Sequence, residues 1–437
     1  MKPAAPTTFL TAPQSLGEGL TLTQFADPNS DEAKAWAKAM SMGFNANEPS
    51  EEALAQLQRW METARILATQ VSAEDDRTGL PVATFGRFWA PANLGARTVQ
   101  AAMITAVIVR TAFKRRGILR AMTELNLAQA GQAGAPLALL TASNAEIYGR
   151  FGFQPVVPEA AVEVNPGKFA LKESATKQIA GYHVDWVLRE TLLEQAQELS
   201  HLAHPGQRGS TLRNPGFPLE HFYDEESGKI DAKLRGIVCY SPTGQACGYA
   251  IYTVADGDPV LWVKDMDFLE PRAEIALWDH LARVEGIKTI KLDTFSLESP
   301  LRLCLKDLRA VDIKSVFDLL WARVLDPVQC LEARSYSFAA HAAGLRACFR
   351  VEDPLGYAAG SLQVTLSSGG ATVERLEDDA DVEAVLSVNA LAELVYASSS
   401  VSNLEVAGLI TGLSPKARPR WESLFAPASP ATFKNHF

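Results

Sequence analysis

The sequence is poor in the residues that build metal sites and disulfide frameworks. Its 437 residues include 5 cysteines and 7 histidines, and no CxxC pair or histidine cluster is present to predict a zinc site. Cys239 and Cys247 could face each other across a hairpin, whereas Cys304, Cys330 and Cys348 stand apart. We expect reduced thiols that pack in the core, and therefore no metal ion and no disulfide.

Long apolar runs and a basic charge balance are also missing. No stretch reaches the roughly 18 apolar residues that predict a transmembrane helix, and residues 1–6 do not begin a signal peptide. The formal charge of −10 disfavours a protein that follows nucleic-acid phosphates and suits a cationic partner. We expect a cytoplasmic protein of two or three domains that binds neither membranes nor nucleic acids.

The sequence does contain a basic, glycine-bearing turn between an apolar strand and a helix. The strand ends at Val109, the turn contains Lys114, Arg115 and Gly117, and apolar residues at helical spacing begin at Ile118. A helix start presents unpaired backbone N–H groups and the positive end of the helix dipole, which bind phosphate. Because the spacing matches neither the nucleotide P-loop nor the GxGxxG fingerprint, we expect a pyrophosphate site of another type.

The spacing of Lys114, Gly117 and Leu119 resembles the RxxGxG/A motif of the GNAT superfamily of N-acetyltransferases, with Lys for Arg and Leu for the second small residue. A buried strand at 136–140 and a short segment with Tyr148 follow the helix, in the order that an acetyl-CoA site requires. Taken alone, the turn is also consistent with a solvated surface turn, and Tyr148 with a packing residue. The two together favour acetyl-CoA binding.

Residues 107–153 as a whole closely resemble the enhanced intracellular survival (Eis) family of actinobacterial N-acetyltransferases. The resemblance continues in four later places: 320–326, 333–336, 404–413 and the terminal Phe437. It implies an α/β and α+β architecture of two tandem GNAT-type acetyltransferase folds, the second degenerate, followed by a sterol-carrier-protein-like domain. We expect these three units to occupy the following residues: 1–157, 158–312 and 313–437.

The second unit repeats the strand and helix order of the first but not its chemistry. Its strands and helix are predicted at these residues: 236–240, 248–254, 261–269, 273–284 (the helix) and 289–293. The turn before the helix contains Glu270, Pro271 and Glu274, so a pyrophosphate would meet two carboxylates and a residue without an N–H group. We therefore expect a scaffold that does not bind coenzyme A. For the third unit we expect strands such as 362–366 to alternate with helices at these residues: 382–386, 391–396, 404–410 and 415–424.

The resemblance also implies the roles of site residues. Tyr148 would be the general acid, since a phenol with an ordinary pKa of about 10 stays protonated at neutral pH. The α-carboxylate of Phe437 would be the general base, helped by desolvation or by a water relay. Acetyl-CoA would be the cosubstrate, and the residues implied to bind it are Val107, Val109, Lys114, Arg115, Gly117, Ile118, Leu119 and Ser143.

The sequence indicates the amine substrate less directly than it indicates the cosubstrate. The family acetylates aminoglycosides and protein lysines, and Glu48, Glu51 and Glu52 are acids that could bind a polycation. These residues equally suit a surface loop and the first turn of a helix that begins after Ser50. The penultimate His436 stands where an acid is expected.

Three hypotheses of function stay open at this point. The first is a polyamine or aminoglycoside N-acetyltransferase, the second is a protein lysine acetyltransferase, and the third is a lipid- or partner-binding assembly in which the sterol-carrier-like unit dominates. The resemblance further implies a homo-hexamer.

Overall fold

The first predicted unit folds as a mixed sheet flanked by helices. The computed structural model describes residues 9–142, 144–213, 223, 229–254, 257, 259–337, 344–435 and 437. In chain order the first elements are β1 (Gln14–Gly17), β2 (Leu20–Phe25), α1 (Asp31–Gly43), α2 (Glu51–Ala64), β3 (Leu67–Ala73), β4 (Ala83–Asn93), β5 (Thr98–Val109), α3 (Ile118–Gln132), β6 (Leu137–Thr141), α4 (Ala145–Tyr148) and β7 (Gln154–Val164). The predicted start of α2 is confirmed, because the Ser50 hydroxyl accepts a hydrogen bond from the Ala53 N–H at 3.2 Å.

The second unit repeats this strand–helix–strand order, as predicted. Its described elements are α5 (Glu173–Gln178), β8 (His183–Val187), α6 (Arg189–Ala203), β9 (Arg235–Tyr240), β10 (Ala246–Val254), β11 (Val260–Phe268), α7 (Pro271–Leu281), β12 (Thr289–Phe295), α8 (Leu301–Cys304) and β13 (Val311–Val324). Cys239 and Cys247 do face each other on β9 and β10, as unbonded thiols with their Sγ atoms 3.8 Å apart.

The third unit differs from its prediction at two places. Its described elements are α9 (Pro327–Ala333), β14 (Arg346–Glu352), β15 (Gly360–Ser367), β16 (Gly370–Leu376), β17 (Ala384–Ser387), α10 (Val388–Tyr396), α11 (Val401–Val406), β18 (Ile410–Thr411) and α12 (Arg418–Phe425). The helix predicted at 382–386 is wrong, because the segment pairs as parallel strand β17 with β14. The helix predicted at 404–410 ends at Val406, since Ile410 pairs with Leu386 of β17.

The two acetyltransferase units share one sheet of thirteen described strands, in the order β1-β2-β3-β4-β5-β6-β13-β7-β12-β11-β10-β9-β8. Strand β13 lies between β6 and β7 and pairs antiparallel with both, and β7 also pairs with β12. The predicted boundaries after residues 157 and 312 fall inside β7 and β13. Backbone hydrogen bonds therefore continue from one unit into the next, and a division at these positions stays a prediction.

Each of the two acetyltransferase units contains a parallel strand pair whose pairing stops before the first strand ends. Strand β5 pairs with β6 up to Ile104 and then continues to Val109. Strand β11 pairs with β12 up to Val263 and then continues to Phe268. A gap of the same topology therefore opens at the end of β5 and at the end of β11.

Apolar and aromatic side chains fill the interior. In the third unit, Phe349, Trp421 and Phe425 pack with their ring centroids 5.6 to 6.2 Å apart. Of the helices that the structure describes, none is long and apolar enough to span a bilayer. In the same part of the chain, no group of three or more His, Cys, Asp or Glu side chains is placed to hold a metal ion.

Candidate active site

A cleft opens in the first unit where the pairing of β5 with β6 ends. Its volume is about 330 Å³. The residues that line it come from β5, β6, β13, α4, the loop after α1 and the chain terminus: Phe44, Ile104, Thr105, Ala106, Val107, Leu140, Thr141, Ala142, Tyr148, Phe317, Asp318, Leu319 and Phe437. The fold thus brings together the two residues predicted to be the acid and the base, Tyr148 and Phe437.

The wall formed by β5 contains a bulge that frees backbone groups. Ala106 has a φ of 54°, a left-handed value that is unusual for a residue other than glycine, and the register between β4 and β5 shifts beside Thr84. The Thr84 hydroxyl donates a hydrogen bond to the Ala106 carbonyl oxygen at 2.7 Å. On the other side, Val107 and Val109 lie beyond the last β6 partner, so their backbone groups are available to pair with an extended ligand.

The predicted phosphate-binding turn leads into α3 at an open helix end. Gly117 is the N-cap residue, with a φ of 77°, and a Cβ atom there would meet no atom within 4 Å. The first intrahelical hydrogen bond runs from the Ala121 N–H to the Gly117 carbonyl oxygen at 3.0 Å. Among the described residues, the N–H groups of Ile118, Leu119 and Arg120 therefore have no acceptor, as a phosphate site requires.

The basic side chains of this turn divide into two kinds. Arg116 donates a hydrogen bond to the Glu18 carboxylate at 3.2 Å and so is already paired. Lys114 and Arg115 are exposed, and neither side chain has an ion pair within the part of the chain that the structure describes. The two basic residues among those predicted to bind pyrophosphate are therefore the ones left available.

Tyr148 lies at the end of α4, in the wall of the cleft. It is 7% exposed, and its ring packs edge-on against Phe153, with centroids 6.0 Å apart. Burial raises the pKa of Tyr148 to about 12. The hydroxyl therefore stays protonated at neutral pH, as a general acid must.

The α-carboxylate of Phe437 reaches the same cleft from the other end of the chain. The Thr141 hydroxyl donates a hydrogen bond to a terminal oxygen of Phe437 at 3.4 Å. The Phe437 ring packs edge-on against Phe88 and Phe433, with centroids 5.8 and 6.1 Å away. Because both of these partners are buried, the Phe437 ring is anchored against the core.

Asp318 was not identified from the sequence. Among the described residues it is the one carboxylate side chain that lines the cleft. The Trp321 indole N–H donates a hydrogen bond to Asp318 Oδ2 at 2.8 Å and orients the carboxylate. The sequence shows only one acid within an apolar run at 316–322. That this acid reaches the cleft depends on the pairing of β13 with β6.

The three acids that were predicted to bind substrate do not line this cleft. Glu48 is exposed and pairs with Lys38 at 3.4 Å. Glu51 and Glu52 occupy the first turn of α2, where carboxylates interact favourably with the helix dipole. These positions agree with the alternative, structural role, and a role of the three acids in substrate binding stays a prediction. Two further predicted residues lie outside the described part of the chain: Ser143 and His436.

The corresponding turn of the second unit offers no comparable opening. Helix α7 begins with Pro271, which has no N–H group, and its N-cap residue Glu270 accepts a hydrogen bond from the Tyr182 hydroxyl at 2.7 Å. Glu274 is buried, and this burial raises the pKa of its carboxyl group. A pyrophosphate would find carboxyl groups here in place of donors.

Comparisons with known proteins agree with this geometry. The family described as an acetyltransferase (GNAT) domain matches residues 25–156, a second family of the same description matches 213–324, and a sterol carrier protein domain matches 327–433. An N-acetyltransferase of Streptomyces griseus, described as uncharacterised, is 31% identical over 390 residues, which are 85% of this chain and 89% of that protein. The N-acetyltransferase Eis of Mycobacterium tuberculosis is 26% identical over 235 residues, 54% of this chain and 57% of that protein.

Solved structures share the fold along nearly the whole chain. Eis1 from Mycobacterium abscessus has a TM-score of 0.76 at 20% identity, over 95% of this chain and 100% of that one. A GCN5-related N-acetyltransferase from Anabaena variabilis has a TM-score of 0.77 at 17% identity, again over 95% and 100%. The predicted order of two GNAT folds and a sterol-carrier-protein-like domain is confirmed, and so is the resemblance to Eis N-acetyltransferases. The chain belongs to the same family of GNAT N-acetyltransferases as the Streptomyces protein.

Proposed function

We propose that the protein transfers an acetyl group from acetyl-CoA directly to primary amines of polycationic substrates such as aminoglycosides. One observation carries this proposal: Tyr148 and the terminal carboxylate of Phe437 line a single cleft beside the unpaired end of β5. A proton donor and a proton acceptor thus flank the place where a thioester held along β5 would meet an amine.

The coenzyme would be held mainly by backbone groups. Val107 and Val109 pair with its extended arm as a neighbouring strand would, and Ser143 bonds the same arm. The pyrophosphate lies at the start of α3, where N–H groups without acceptors and two exposed cations support this role. The residues that we propose for the pyrophosphate are Lys114, Arg115, Gly117, Ile118 and Leu119.

The two ends of the reaction use different groups of the chain. The Phe437 carboxylate accepts the proton that the attacking amine loses, directly or through a water molecule, while a C–N bond forms and the C–S bond of the thioester breaks. The Tyr148 hydroxyl donates its proton to the departing thiolate. Alignment of amine and thioester supplies much of the rate, since correct positioning contributes about 7–11 kcal/mol. No covalent enzyme intermediate is needed.

The charge and the aromatic rings of the cleft support a cationic substrate. The exposed carboxylate of Asp318 attracts an ammonium group, and Phe44 and Phe317 line the same cleft. The net charge of −10 favours the approach of polycations to the protein. We therefore place Asp318 ahead of Glu48, Glu51 and Glu52 as the acid that binds substrate.

The other two units would act through structure. The packed rings of Phe349, Trp421 and Phe425 inside the third unit favour a structural role over lipid binding. We also propose that the second unit is a scaffold that does not bind coenzyme A.

We further propose that the protein is cytoplasmic and that it assembles as a homo-hexamer. Light scattering of the purified protein measures the number of subunits.

Thiol release from acetyl-CoA tests the proposed activity. The panel of acceptors contains kanamycin-like aminoglycosides, linear polyamines and lysine peptides, with glucosamine as a monoamine control. We expect rapid release of coenzyme A with the first group and slow release with the control. Release with lysine peptides alone would favour protein acetylation, and an absence of release with every amine would contradict the proposal.

A further inference from the structure

The described residues near the end of the sequence, 432–435 and Phe437, contact the second unit and the active cleft. We call them the C-terminal segment. The Phe433 N–H donates a hydrogen bond to Glu159 Oε1 of β7 at 3.3 Å, and Asn435 Nδ2 donates to the Thr211 carbonyl oxygen at 2.9 Å. The segment is therefore held by backbone and side-chain contacts to residues distant in the sequence.

Lys434 makes a charged contact with the second unit. Its side chain is only 11% exposed, and its ammonium group lies 3.2 Å from Asp267 Oδ1. The same group lies 3.8 Å from the centroid of the Phe268 ring, at cation–π distance. Asp267 and Phe268 are the last two residues of β11. The lysine thus docks at the end of β11.

This end of β11 corresponds to the part of β5 that borders the active cleft. Pairing with the next parallel strand runs from Val260 to Val263 in β11 and from Ala101 to Ile104 in β5, and both strands then continue alone. Residues 264–268 therefore match 105–109. Where the first unit has an open strand end for the coenzyme, the second has the chain's own Lys434 against it.

Lys434 balances negative charge that is buried around it. Asp265, Asp267 and Arg213 are all buried, and one Arg213 nitrogen lies 2.8 Å from Asp265 and 3.8 Å from Asp267. Burial raises the pKa of Asp267, but the charges of Lys434 and Arg213 outweigh this effect and hold the pKa below its ordinary value. Without Lys434, two buried carboxylates would share one guanidinium, which is strongly unfavourable.

We propose that the degenerate acetyltransferase unit is a clamp for the C-terminal segment, in which Asp267 and Phe268 bind Lys434 and so position the Phe437 carboxylate in the active cleft. The inference rests on the proposed function of that carboxylate. Phe437 lies three positions after Lys434, and an extended chain of this length spans at most about 11 Å. A fixed Lys434 therefore confines the carboxylate to the neighbourhood of Thr141 and Tyr148.

Digestion with a carboxypeptidase tests the clamp without reference to catalysis. The full-length protein, Lys434→Met and the matched control Lys434→Arg are digested, and loss of Phe437 is followed by mass spectrometry. We expect Lys434→Met to lose Phe437 at least about ten-fold faster, because the open form becomes more populated. Lys434→Arg keeps the charge and should resemble the wild type. Equal rates in all three proteins would overturn the clamp.

Steady-state kinetics on the same proteins test the positioning role. We expect Lys434→Met to lower kcat by about 10²-fold, the scale of a misplaced reacting group, while the Kd for acetyl-CoA stays unchanged and Lys434→Arg restores kcat. A protein that lacks Phe437 separates the two ideas. If it loses kcat but Lys434→Met does not, the positioning role fails; if it keeps full kcat, the proposed base itself fails.

The double variant Lys434→Met/Asp267→Asn tests the clamp if the single variant Lys434→Met does not fold. It removes both charges of the pair, so Asp265 no longer shares the Arg213 guanidinium with a second ionised aspartate. We expect it to fold, to release Phe437 as fast as the single variant and to have the same low kcat. A folded double variant with wild-type release and kcat would overturn the proposal.

Discussion

The Thr141 hydroxyl donates a hydrogen bond to the terminal carboxylate of Phe437 across 296 positions of sequence. Thr141 ends β6, the strand whose separation from β5 opens the cleft. This contact ties the end of the third unit to the wall of the first. It also sets the carboxylate in the cleft that Tyr148 lines, so the account predicts a separate effect for the loss of each group.

Tyr148→Phe removes the proposed acid with little change in shape. We expect kcat to fall by roughly 10²-fold or more, the usual effect of losing a general acid, while the Kd for acetyl-CoA stays within a factor of about two because the phenol is not among the groups that hold the coenzyme. Calorimetry and thiol release measure the two quantities. A variant with wild-type kcat would remove Tyr148 from the mechanism.

The turn and the helix around Gly117 could be predicted because their signals are local. A basic turn, an apolar helical period and a glycine lie within a few residues of one another. Gly117 has a left-handed φ, a conformation that glycine adopts without strain. Strands β11 and β12 could likewise be predicted, because each has its own local apolar pattern.

Features that depend on distant pairing could not be predicted. Asp318 enters the cleft because β13 inserts between β6 and β7, which no local pattern indicates. The apolar run at 382–386 is too short to distinguish a helix from a strand. The segment forms a strand because it pairs in parallel with β14. The contact of Lys434 could not be predicted, because its partner Asp267 lies on β11, far away in the sequence.

Gly117→Asp and Gly117→Asn separate charge from shape at the phosphate turn. Both side chains have the same size, both tolerate the left-handed backbone better than most residues, and the position has open space for either. Because aspartate adds a negative charge beside a pyrophosphate, we expect it to weaken acetyl-CoA binding by at least about ten-fold more than asparagine does. Calorimetric titration of coenzyme A gives the comparison. Equal affinities would argue that the pyrophosphate lies elsewhere.

Asp318→Asn tests the carboxylate that the structure adds to the site. We expect KM for a polycationic amine to rise by roughly ten-fold, because a charge-assisted hydrogen bond contributes about 1.5–3 kcal/mol, while KM for acetyl-CoA does not change. Glu52→Gln is the matched control, since this acid lies in the first turn of α2 and outside the cleft. A larger effect of the control than of Asp318→Asn would restore the acids predicted from the sequence.

Glu159→Gln should make stability less dependent on pH. Burial raises the pKa of Glu159 from its ordinary 4.5 to about 7, against the hydrogen bond from Phe433 and the charge of Lys434. A raised folded-state pKa contributes stability that is fully present below pH 4.5 and is lost as the pH rises through 7.

Glutamine cannot ionise, so its advantage over Glu159 should grow from pH 5 to pH 8 by a free energy of unfolding on the order of 3 kcal/mol. Urea denaturation at the two pH values measures this difference. An advantage that is the same at both pH values would contradict the burial of an ionisable carboxyl at this position.

The most direct test of the account is to convert the terminal carboxylate of Phe437 to an amide by protein ligation. This change keeps the ring between Phe88 and Phe433 but removes the basic oxygen. We predict that kcat falls by about 10²-fold or more while acetyl-CoA binds with unchanged affinity. A ligated amide with the kcat of the ligated acid would contradict the role of the C-terminus as the base.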